Sequence, residues 1–156
     1  MNTFKNIKLI MLLFAIVISA CQPTNKSNEK VDKAIKTLPT IDEVVIEPSV
    51  FFKNIQTGAI LTSPFLVEMG VEGMGVESAG EKNDFMGHHH IIINSDFIVD
   101  GDVVPSDEKH IHFGAGQTDC QLALATGNYS LTLQFADGFH QSYGEKMSKT
   151  INVTVQ

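Results

Sequence analysis

Gly87-His88-His89-His90-Ile91-Ile92-Ile93-Asn94 is the stretch on which the reading of this chain turns. Its run of β-branched isoleucines, stopped by Asn94, predicts a strand. Along a strand, side chains two apart point to the same face, about 6.6–6.8 Å from each other. His88 and His90 therefore share a face. The same His-x-His spacing returns in His110-Ile111-His112-Phe113. There Ile111 and Phe113 share one face and are expected to take the core, which leaves His110 and His112 together on the other. If the two strands are neighbours, four imidazoles converge.

The phase of the first segment is open from sequence, because its apolar run continues without alternation. His88 and His90 go with Ile92, or His89 goes with Ile91 and Ile93, and a shift of one residue exchanges the faces. If His89 joins the isoleucines toward the core, His88 and His90 face outward or into a rim cleft.

Working outward, short apolar runs alternate with turn residues. Val50-Phe51-Phe52, Ala59-Ile60-Leu61, Phe65–Val71, Asp119–Leu124, Tyr129–Phe135 and Lys149–Val155 read as further strands. Gly58, Ser63-Pro64, Gly114-Ala115-Gly116, Thr126-Gly127-Asn128 and Asp137-Gly138 punctuate them. Gly70, Gly73, Gly75 and Gly80 mark a loop, and Asn94–Lys109 reads as a polar, acidic one. No helix is convincing. The expected fold is all-β: a small antiparallel immunoglobulin-like β-sandwich of seven or eight strands over residues 47–156.

The N-terminus has a different texture. Met1–Lys8 carries two lysines and no acid, Leu9–Ser19 is almost wholly apolar, and Ile18-Ser19-Ala20-Cys21 follows. These are the three regions of a secretory signal, and the apolar run is short for a membrane-spanning helix. Small residues before a cysteine resemble the lipobox of bacterial lipoproteins. That resemblance implies cleavage after Ala20 and lipid modification of Cys21, with Gln22 pointing to an outer membrane. Residues 21–46 are then a lipidated end and a polar tether. The expected localisation is an exported, membrane-anchored protein facing the periplasm or the cell surface.

Composition narrows the partners. The chain has 156 residues, enough for one small domain with tails. It carries a net charge of −7 and no arginine. Losing residues 1–20 removes two lysines and no acid, which takes −7 to −9. No basic patch is visible, so nucleic acid is not an expected partner. With Cys21 acylated, Cys120 has no intramolecular disulfide partner. It shares an alternation with Leu122 and Leu124 and reads as a small core residue.

All six histidines lie in the β-domain: His88, His89, His90, His110, His112 and His140. Imidazole suits zinc, copper, nickel and iron. His140, beyond a turn near the end of the Tyr129–Phe135 strand, can reach a neighbouring rim. His88, His90, His110, His112 and His140 are thus the candidate metal ligands, with copper or zinc the expected ion. Cys120, Met86 and Met147 would favour copper(I) if they joined. Only neutral imidazole ligates, so affinity is expected to fall below about pH 6.5. No catalytic residue and no other cofactor site can be assigned. The rival readings are a cell-envelope binding or assembly module with structural histidines, and a metal-dependent enzyme with an open coordination position.

At these residues the chain resembles a bacterial family, the domain of unknown function 4399, over roughly Ser49 to Gln156. The resemblance is carried by Val50-Phe51-Phe52-Lys53-Asn54, by Phe65-Leu66-Val67 with Gly70-Val71-Glu72-Gly73-Met74-Gly75-Val76, by Gly87-His88-His89-His90, and by His110-Ile111-His112-Phe113-Gly114-Ala115-Gly116-Gln117-Thr118. His140 falls where members tend to carry a histidine. Many members then have a proline-rich stretch, where this chain has Gln141-Ser142-Tyr143-Gly144. The resemblance implies an exported all-β domain and supplies no activity.

Overall fold

The computed structural model of the protein describes residues 46–156. The expected signal, Cys21 and all but the last residue of the expected tether lie outside the described residues. Nine strands follow in order: β1 (Ser49–Phe52), β2 (Ala59–Leu61), β3 (Phe65–Glu72), β4 (Gly75–Val76), β5 (Met86–Ile93), β6 (His110–His112), β7 (Asp119–Leu122), β8 (Gly127–Ala136) and β9 (Ser148–Val155). A single 3-10 turn, Glu145–Met147, leads into β9. The domain is all-β among the described residues, as the spacing of apolar runs and turns predicts.

The strands form two sheets. One has the order β1-β3-β7, and the other β2-β9-β8-β5-β4 with β6 also paired to β5. Most pairs are antiparallel; the short β2 and β4 run parallel to β9 and β5. β4 is the strand the sequence did not announce. Its two residues lie in the glycine loop, too few to carry an alternation, and they are ordered by the free edge of β5 at Met86 and Gly87.

One core joins the sheets. From the smaller sheet come Val50, Phe65, Val67, Met69 and Leu122. From the larger come Ile91, Leu131, Leu133, Phe135, Ile151, Val153 and Val155. In β3 Phe65, Val67 and Met69 are buried and in β9 Ile151, Val153 and Val155 are, the period-2 pattern of a half-covered sheet. Each such aliphatic or aromatic side chain stabilises the fold by about 1.5–3 kcal/mol.

β5 is buried throughout its length except at its ends, which explains why its alternation is illegible in sequence. The register settles the phase. His89, Ile91 and Ile93 stand opposite Phe135, Leu133 and Leu131 of β8, on the core face. His88, His90 and Ile92 stand opposite Ala136, Gln134 and Thr132, on the outer face. Paired residues of an antiparallel ladder point the same way.

That outer face is covered too. The segment after β5 lies across it. Thr132 donates its hydroxyl to the Ser95 carbonyl at 2.9 Å, and the Ile98 N–H donates to Gln134 Oε1 at 3.0 Å. Gln134 Nε2 contacts the carbonyls of Phe135, Gly144 and Met147 at 3.1–3.2 Å. The polar loop read from sequence is thus half wall: Val104 is buried, while Val99 and Val103 stay exposed.

Candidate metal centre

β5 places His88 and His90 side by side on the outer face, and the ladder brings β6 against them. His90 pairs directly with His112, and Ile92 with His110. His140 arrives from the turn that follows β8, where Ala136 is the partner of His88. Four rings meet: His88, His90, His112 and His140, with all six centroid separations between 4.6 and 5.9 Å.

The nitrogens face inward in two close pairs. Nε2 of His88 lies 3.1 Å from Nε2 of His90, and Nε2 of His140 lies 3.1 Å from Nε2 of His112. His88, His112 and His140 each offer a ring nitrogen within 4.8 Å of the other two. Nitrogens bound at 2.0–2.1 Å to one tetrahedral zinc sit about 3.3–3.4 Å apart. The two short pairs are near that spacing, and His88, His112 and His140 are close enough together to hold one ion. His110, the fifth expected ligand, stands apart: its Nδ1 is 2.7 Å from Oδ1 of the exposed Asp107. It shares a face with His112, as alternation requires, but a local partner holds its ring.

His88 and His90 are almost wholly shielded from solvent, at 0% and 1% exposure. Burial, followed by the neighbouring imidazoles, lowers His88 to about 4 and His90 to about 2. Burial and then His140 also lower the exposed His112. The two buried rings are therefore neutral and ready to ligate well into acid. Their hydrogen bonding is incomplete. A contact between two Nε2 atoms is a hydrogen bond only if one ring donates its N–H and the other accepts. The accepting neutral ring then carries its proton on Nδ1, and Nδ1 of both His88 and His90 is buried without a partner. Leaving a buried donor unmatched costs about 1–3 kcal/mol. The cluster is a poor way to stabilise a sheet.

A cleft of about 230 Å³ opens onto the group, lined by His90, Val103, Val104, Pro105, Ser106, His112 and His140. The site thus has a buried wall, His88 and His90, and a solvent side. Gly114, expected only as a turn, proves to be part of its construction. A side chain there would run into the His112 ring at Cε1 and Nε2. The soft donors do not join the group. Met147 is in the core, Cys120 packs against the core from β7, and Met86 lies beside Gly75.

The profile of the family described as a domain of unknown function (DUF4399) matches residues 67–156. The chain belongs to that family. The matched stretch of the DUF4399 domain contains β5, β6 and the turn after β8, and so every histidine of the cluster. It leaves out β1 and β2, and with them the Val50–Asn54 segment of the expected resemblance. Neither the curated proteins nor the solved structures yield a match to this DUF4399 chain.

Proposed function

We propose that this domain binds a divalent transition-metal ion, zinc or copper(II), through His88, His90, His112 and His140, for storage, delivery or resistance. The observation that carries the reading is the meeting of four imidazoles from three separate segments, two of them buried and neutral. A set of nitrogens with no thiolate or thioether among them favours divalent zinc or copper over copper(I). The cleft gives the ion a path to solvent, which suits loading and release. Three further expectations from sequence belong to the same proposal: export, lipid attachment at Cys21, and residence on a membrane facing the periplasm or surface.

The test is calorimetric titration of the full chain, made without a polyhistidine tag and purified in detergent, with Zn(II), Cu(II) and Cu(I) at about pH 7.5, where imidazole is neutral. One ion per chain, bound below about 1 µM, is expected for Zn(II) or Cu(II). His88→Ala/His90→Ala should weaken binding by at least about 100-fold, since ligands from one wall of the site are lost. Binding no tighter than about 100 µM for every ion would overturn the reading. Replacing Cys21 with alanine should release the protein from the membrane fraction.

A further inference from the structure

Asp137 has no place among the four imidazoles, yet it is one of the few buried charged residues, at 1% exposure. It begins the turn that carries His140. Its Oδ1 accepts the N–H groups of Phe139 and Gln141, each at 2.9 Å. Its own carbonyl accepts the His140 N–H, and its N–H donates to the Gln141 carbonyl, again at 2.9 Å. The carboxylate thus closes a five-residue loop around His140 from the inside. Its second oxygen lies 2.7 Å from Nζ of Lys82. That tie fastens the turn to the preceding glycine loop, where the Gly80 N–H also donates to the Gly138 carbonyl at 2.9 Å.

The turn needs such a clamp. His140 has φ +66°, a left-handed conformation that disfavours any residue with a Cβ. Holding a non-glycine residue there costs about 1–3 kcal/mol unless the surroundings enforce it. What the strained backbone achieves is direction: the ring of His140 lies 4.6 Å from that of His112 and 5.0 Å from that of His88. The His140 carbonyl also accepts the Val104 N–H at 2.9 Å, so the same turn fixes the cleft wall.

We infer that Asp137 is the positioning residue of the metal site, holding His140 in its strained conformation so that its imidazole completes the ligand set. This rests on the metal reading proposed above. Outer partners that orient a ligand typically contribute 10–100-fold to metal affinity.

The experiment measures Zn(II) affinity of the full chain in four forms: wild type, Asp137→Ala, His140→Ala and the double variant. Asp137→Ala should weaken binding by about 10–100-fold. The double variant should bind no worse than His140→Ala, because Asp137 acts only through that ring. Asp137→Asn retains an oxygen to accept both N–H groups and should recover most of the affinity. The coordination of Co(II) or Cu(II), read by its absorption or spin-resonance spectrum, should lose one nitrogen in Asp137→Ala, a change that a general loss of stability would not produce. Should Asp137→Ala fail to fold, wild type carries the test: Zn(II) should slow hydrogen exchange at the Phe139 and Gln141 amides. Unchanged exchange there, or additive losses in the double variant, would overturn the role of Asp137 while leaving the metal site standing. A wild-type chain that binds neither Zn(II) nor Cu(II) would remove both.

Discussion

His112 can sit in the cluster only because position 114 has no side chain. The contact is with the ring itself, at Cε1 and Nε2, so Gly114→Ala must displace the imidazole from its place in the cluster. No ligand is removed, and Gly114 is not among the residues with positive φ, so the backbone accepts alanine. Zn(II) affinity is expected to fall about 10-fold or more, with the melting temperature of the metal-free protein changed little. Calorimetry paired with thermal unfolding checks this; unchanged affinity would show that the ring has room to spare. His89 makes the opposite case. It points into the core against Phe135, with ring centroids 5.0 Å apart, and neither of its nitrogens has a partner. A buried polar group without hydrogen bonds is a cost that an apolar residue of similar size removes. His89→Leu should stabilise the metal-free protein by about 1 kcal/mol in urea unfolding at pH 7.5 and leave Zn(II) affinity alone. Loss of stability would mean that the His89 ring is satisfied by something other than protein atoms.

At the scale of elements, the two His-x-His segments were legible because period 2 is rigid: once β5 and β6 are strands, each pair must share a face. That they are neighbours was not legible, since partners in a sheet are chosen by register over long separations. The phase of β5 was hidden for a definite reason. An interior strand covered on both faces has no polar face to reveal it, and β5 is covered by the core on one side and by the loop after it on the other. The same cause makes that loop look free in sequence. Its acids remain exposed, but its backbone is bound by Gln134, Ser142 and Thr132. His110 shares the face of His112 as alternation requires, and what alternation does not reveal is the carboxylate three residues earlier that holds its ring. Gln134 offers the sharpest test of this layer. Gln134→Leu strands the Ile98 N–H and takes a donor from the carbonyls of Gly144 and Met147, the former keeping only the Met147 N–H. It should cost about 2–4 kcal/mol in urea unfolding, the scale of a buried network cut at one member. It should also speed proteolysis within residues 95–106. A protease-resistant loop would show that Val104 and the Val103–Gln141 bridge hold it without Gln134.

For the molecule as a whole, the buried histidines couple folding to pH. Burial lowers the rings of His88 and His89 to about 4 and that of His90 to about 2, against about 6.5 in an unfolded chain. Between pH 6.5 and 4 the unfolded chain therefore binds protons that the folded one refuses. Stability rises with pH wherever the unfolded state holds more protons, so the contribution is complete above about pH 6.5 and is lost as acid is added. Each ring accounts for about 1.4 kcal/mol on going from pH 7.5 to 5.5, or about 4 kcal/mol for the three, measured by urea unfolding in the presence of a chelator. Metal binding should show a different profile. Protons compete with an ion only at rings they can reach, and two of the four proposed ligands are already held neutral by burial. Four ordinary imidazoles would lose about 10⁴-fold in affinity over the same interval, while two can lose at most about 100-fold. The metal-free protein should thus weaken markedly at pH 5.5 while its folded fraction still takes up Zn(II) within about two decades of its affinity at pH 7.5. Calorimetry at the two pH values decides the matter, and a loss approaching 10⁴-fold would mean that His88 and His90 are open to solvent in the metal-free state.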